Sequence, residues 1–190
     1  MLKKLIGLLL LGLIVSVAVV WLLAEPPQEE STLPVAIKIE ELPREALLYF
    51  VAPEGSYLVS EIQQIAGCDD DRDCVRNLFT KLAAGSQGSL APVLSPQVKV
   101  LSVELRDELA VVDFNQAFIH AHPGGSLSEL LTVYALVNSL AVNFPYLKQL
   151  QILVEGASVE TLKGHVRLVR PVIADFSYSR PPQTGAPAHE

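Results

Sequence analysis

The chain has 190 residues, half of them apolar, with 21 acidic and 14 basic side chains and a formal net charge of −7. That length favours one domain with appendages. The acid excess argues against nucleic acid or anionic lipid as a partner, because both need a basic footprint.

In chain order the first feature is an uncharged apolar run from Leu5 to Ala24. As a helix rising about 1.5 Å per residue it would be about 30 Å long, matching the hydrocarbon core of a bilayer. Lys3 and Lys4 precede it, and Glu25, Glu29 and Glu30 follow. Positive charge before the span predicts residues 1–4 in the cytoplasm, a transmembrane anchor over residues 5–24 and everything later outside. A cleaved signal sequence is the alternative, although the run is long for a signal core and Leu22-Leu23-Ala24 is a poor small-x-small cleavage site. Ser16-Val17-Ala18 fits that pattern better but leaves apolar chain behind. Either reading exports the remainder, which carries a formal −9 once Lys3 and Lys4 are set aside. The first cysteine, Cys68, is far from the span, so a lipid-modified cysteine is not expected.

Residues 25–45 are rich in proline and glutamate and read as a linker. Ala46-Leu47-Leu48-Tyr49-Phe50-Val51 is a nearly continuous apolar run ended by Pro53-Glu54-Gly55, as expected of a buried strand and a turn. Tyr57 to Ile62 is its expected hairpin partner. Cys68 and Cys74 make an even count in an exported domain, which favours a disulfide over two reduced thiols. Asp69, Asp70 and Asp71 offer caps for a helix whose apolar positions are Cys74, Val75, Leu78, Phe79 and Leu82, with Gly85 as its stop. The same aspartates lack the glycine and the bidentate glutamate of a calcium loop. Val98–Leu105 and Leu109–Phe114 read as paired strands, with Asp113 as a turn or cap residue near the end of the second.

Gly124 and Gly125 give the backbone freedom to enter a helix, and Ser126-x-x-Glu129 has the form of a capping box. Apolar residues at Leu127, Leu130, Leu131, Tyr134, Val137, Ala141 and Phe144 repeat at helical spacing up to Pro145, and Leu136, Leu140 and Val142 widen the apolar surface. This helix should be covered over much of its circumference, and Asn138 within it should bond to a neighbouring loop. Leu150–Val154 is a further strand. Gly156 and Gly164 read as turns, residues 159–162 and 166–169 as short edge segments, and residues 176–190 as a disordered tail. The order strand-strand-helix-strand-strand-helix-strand predicts an α+β fold over residues 46–175: two layers, with two helices on one face of a small mixed sheet.

These stretches resemble the GerMN domain family of sporulation and spore-germination proteins. The resemblance is carried by Leu48-Tyr49-Phe50, Ala110–Phe114, Gly125-Ser126-x-x-Glu129, Tyr134–Leu140, Asn143-Phe144-Pro145, Gln151–Gly156 and Thr161-Leu162-x-Gly164-His165. It covers roughly residues 47–171. The resemblance implies a membrane-attached, extracytoplasmic and non-catalytic domain of the cell envelope, with a fold like the ring-building domains of secretion complexes. The chain departs from the family in lacking a proline after Gly85.

Candidate chemistry is thin. His120, His122, Ser126 and Asp113 invite comparison with a nucleophile triad, but no strand-turn-helix elbow surrounds Ser126. His120-x-His122 would need Glu129 or His165 to complete a metal site. No phosphate loop or paired-carboxylate pattern is present, and no cofactor is expected. The expected partners are envelope proteins, further copies of the chain, the membrane through the first segment, and, as the alternative, peptidoglycan.

Overall fold

A computed structural model describes Trp21 and residues 42–180. The expected membrane span other than Trp21, the linker as far as residue 41 and the tail beyond residue 180 lie outside the described residues. Among the described residues no helix is long and apolar enough to cross a membrane.

Strand β1, Arg44–Val51, pairs antiparallel with β2, Leu58–Ile65. Side chains alternate across a strand, and Ala46, Leu48 and Phe50 all turn inward, none more than 2% exposed. Helix α1, Asp71–Ala84, begins where the Asp70 carboxylate accepts from the Asp73 N–H at 2.9 Å. Its apolar stripe of Cys74, Val75, Leu78, Phe79 and Leu82 is buried. Cys68 and Cys74 form a disulfide with their Cα atoms 5.1 Å apart, tying the approach of the chain to the first turn of α1.

Strands β3, Val100–Arg106, and β4, Leu109–Phe114, form an antiparallel hairpin. No glycine marks its turn; Asp107 takes the left-handed position instead, at φ 50°. After β4 comes a short helix absent from the sequence reading, α2, Ala117–His120, which stacks Phe118 on Phe114 with ring centroids 4.8 Å apart. Helix α3, Ser126–Asn143, then carries the chain back to β5, Gln149–Val154, which lies parallel to β4. A parallel pair needs such a crossover. Glu155 and Gly156, at φ 52° and 77°, turn the chain into β6, Ala157–Ser158. Strand β7, Val172–Ile173, pairs with the start of β5. A 3-10 turn over Phe176–Tyr178 leads to β8, Ser179–Arg180, parallel to β2.

The fold is α+β with mixed sheets and two long helices, in small layers as expected. The strands divide into two sheets, however, β1-β2-β8 and β3-β4-β5-β6, with β7 also on β5. The reason lies in α3, which packs on both β1 and β5. Its Asn143 Oδ1 accepts from Leu47 N at 3.0 Å, its Asn143 Nδ2 donates to Leu47 O at 2.7 Å, and its Ser139 Oγ accepts from Tyr49 N at 2.9 Å. Helix side chains therefore take the edge of β1 that a neighbouring strand would have used.

Residues 131–133 and 135–140 of α3 are all buried. Successive residues point about 100° apart, so a run of six samples the whole circumference. Leu127 departs from the expected apolar face and is 46% exposed. Residues 159–162 and 166–169 do not form edge strands; a single bridge joins Thr161 to Arg167, and backbone N–H groups there turn to a side chain of α3. Residues 176–180, expected in the tail, are part of the fold through the 3-10 turn and β8.

Candidate functional site

The residues singled out in the sequence fall into three places. Glu129, Gly124, Gly125 and Ser126 lie at the start of α3, with the Gly164 loop beside them. Asp113 and Gly156 meet at the carboxyl ends of β4 and β5, where the Asp113 carboxylate accepts from Gly156 N at 2.9 Å. Asn138 is in the middle of α3 and reaches the C-terminal segment.

Glu129 is fully buried. Its Oε1 accepts from Leu162 N at 3.0 Å and Val166 N at 2.9 Å. Its Oε2 accepts from His165 N at 3.0 Å and the His165 ring Nδ1 at 3.1 Å. Four donors fill the acceptor capacity of a carboxylate. Burial pushes the carboxyl up, but the loop N–H groups and the His165 ring outweigh it and hold Glu129 below its ordinary range. The capping box expected from Ser126-x-x-Glu129 does not form. The cap position is Gly125, at φ 95°, and Ser126 is the exposed first residue of the helix with no side-chain capping bond. Glu129 is committed to the loop instead.

His122 lies in the turn that leads into the same helix. Its Nδ1 accepts from Gly124 N at 3.0 Å and its Nε2 lies 3.1 Å from Thr132 Oγ1, which donates to Val93 O at 3.1 Å. Donor matching along this chain fixes the neutral ring with its proton on Nε2. Burial pulls His122 below its ordinary value against the opposing charge of Glu129, with Lys163 also lowering it. Between the 92–98 loop and the segment from α2 to Pro123 lies a cleft of about 200 Å3, lined by Val93, Leu94, Val98, Phe118 and Pro123 with His122 on its wall. A larger, open groove of about 420 Å3 beside α1 and β3 is lined by charges paired within the chain, Arg72 with Asp70 at 3.1 Å and Arg106 with Glu104 at 2.5 Å.

Asn138 is fully buried and reads one backbone segment from both sides. Its Oδ1 accepts from Asp175 N at 3.0 Å and its Nδ2 donates to Asp175 O at 2.8 Å. Asn143 does the same for Leu47 of β1, and Ser139 accepts from Tyr49 N; the sequence pattern assigns neither of them a bonding partner. The signal for them was three polar residues, Asn138, Ser139 and Asn143, in a stretch of the helix, Ala135 to Asn143, whose other side chains are apolar.

Chemically, these groups are occupied. Both ring nitrogens of His122 and both oxygens of Glu129 are engaged, Asp113 holds a turn, and His120 is exposed on α2. The structure does not bring Ser126, His120 and Asp113 together as a triad: Ser126 starts α3 and Asp113 bonds to Gly156. It pairs Glu129 with His165, not with His122, and among the described residues no three His, Cys, Asp or Glu side chains are placed to hold a metal.

Comparison with known proteins gives one family match: the profile described as Germane, sporulation and spore germination, aligns with residues 47–160. No curated relative matches in sequence. Among solved structures, a candidate lipoprotein from Clostridium perfringens superposes with a TM-score of 0.51 at 23% identity, over 72% of this chain and 89% of that one. The tandem GerMN domains of the sporulation protein GerM from Bacillus subtilis superpose at 0.54 with 22% identity, over 76% of this chain and 48% of that one. The first GerMN domain of the same protein superposes at 0.55 with 14% identity, over 69% of this chain and 97% of that one. These likenesses establish the fold.

Proposed function

The chain belongs to the family described as Germane, sporulation and spore germination, and from that premise we propose that it is a membrane-tethered, extracytoplasmic domain that binds envelope proteins without catalysis. The observation that carries the reading is the use made of the polar groups at the start of α3. Glu129, whose placement on a helix beside histidines would suit acid–base work, is saturated by four donors of its own chain. A general base needs a free lone pair within reach of its substrate. The polar residues of this domain position loops, and a rigid display of loops is how a scaffold presents a binding surface. The uncharged run from Leu5 to Ala24 supports the tether.

The test is capture from envelope extracts with the full chain as bait, alongside sedimentation velocity over a wide concentration range. A specific protein partner or a reversible oligomer is the expected result. A strict monomer that captures nothing, yet pellets saturably with purified sacculi, would replace this reading with peptidoglycan binding.

A further inference from the structure

Thr132 holds two loops at once. Its hydroxyl donates to Val93 O in the 92–98 loop and accepts from the His122 ring in the turn before α3, and those two loops are the facing walls of the apolar cleft. The His122 ring is the titratable link in this chain of bonds. It is also fastened to its own turn, because Nδ1 accepts from Gly124 N at 3.0 Å. A protonated imidazole carries N–H on both nitrogens and accepts nothing. Adding that proton points two donors at each other across the Gly124 contact.

We propose that His122 is a proton-operated latch on the cleft between the 92–98 loop and residues 117–123: protonation at Nδ1 breaks the Gly124 bond, swings the ring off Thr132 and uncovers the apolar wall of Val98 and Phe118. The ionisable groups nearest the ring lie on α3, on α2 and on the loop that carries Lys163 and His165. Glu129 on α3 favours the charged ring, while Lys163 on the facing loop opposes it. His165 is held by Glu129, and His120 is exposed on α2. Residues 92–98 carry no ionisable side chain. Burial keeps the ring neutral near neutrality, so the latch is closed there and opens in acid, below the ordinary histidine value of 6.5. What opens is apolar, so the acid form presents a wider greasy slot than the cleft of the neutral form.

The experiment is amide exchange on the full chain in mild detergent, with ring-nitrogen NMR of the histidines. From about pH 7.5 to about pH 5, after correction for intrinsic rates, protection at Gly124 and the 92–98 loop should fall about tenfold while the β4 and β5 amides keep theirs. At the upper pH the His122 ring should be neutral with its proton on Nε2. Thr132→Ser should retain the acid response. Thr132→Val should lower loop protection at both pH values, and His122→Phe should abolish the pH dependence. An Nδ1–H ring at the upper pH, pH-invariant protection in the native chain, or the same acid response in His122→Phe would each overturn the proposal. Intact β4 and β5 protection separates release of the latch from unfolding of a variant.

Discussion

Changing Glu129 to Gln preserves its shape but turns one acceptor into a donor facing backbone N–H groups that have no other partner. The expected loss is about 3 kcal/mol, since buried donors would be left unsatisfied around a fully buried site. Urea denaturation of the native chain and the variant would measure it. The acid limb gives a second readout. Glu129 is held below its ordinary value, so its contribution is complete above the unfolded value of 4.5 and disappears as pH falls through the lower folded value. Stability of the native chain should therefore decline on that limb more steeply than that of Glu129→Gln. The Ser126-x-x-Glu129 pattern did locate the start of a helix, and α3 starts at Ser126. It misdirected the carboxylate, because a capping box is closed within four residues whereas the true donors are 33 to 37 residues further along. Nothing local in the sequence marks a partner that distant.

Asn143 and Ser139 show the same limit at the level of whole elements. The strands were readable from alternation and the helices from their caps and apolar spacing, but which edge faced which element was not. A free strand edge and a polar pair on a helix are complementary only once both are folded. Asn143→Ala should cost about 2 kcal/mol by leaving both Leu47 backbone groups unpaired, with amide exchange at Leu47 rising before any global loss. The disulfide was legible from an even cysteine count in a domain that the sequence reads as exported. Its loop spans a sequence separation of six, so reduction should cost only about 2 kcal/mol. The loss should appear first as fraying at the start of α1, seen by comparing exchange in oxidised and reduced chains.

For the molecule as a whole, the last described segment is structural. Asp175 to Arg180 supplies the partners of Asn138, the ring of Tyr178 stacked 4.4 Å from Tyr134, and β8 on the outer edge of β2. Ending the chain after Ala174 should strand a buried amide and lower the melting temperature by several degrees or more, as expected for a loss of about 2–3 kcal/mol. Scanning calorimetry would detect it, and an unchanged transition would show that the segment is dispensable. The sealing of β1 by α3 also sets an order of events. Leu47 must wait for Asn143, 96 residues later in the chain, before its backbone is satisfied. A nascent hairpin of β1 and β2 is thus born with a bare edge and keeps it until the far end of α3 has been made and docked. Pulse-labelled refolding should find Leu47 and Tyr49 protected together with α3, never ahead of it. Until α3 arrives, that bare edge is open to stray strand pairing, and helix docking is what closes it.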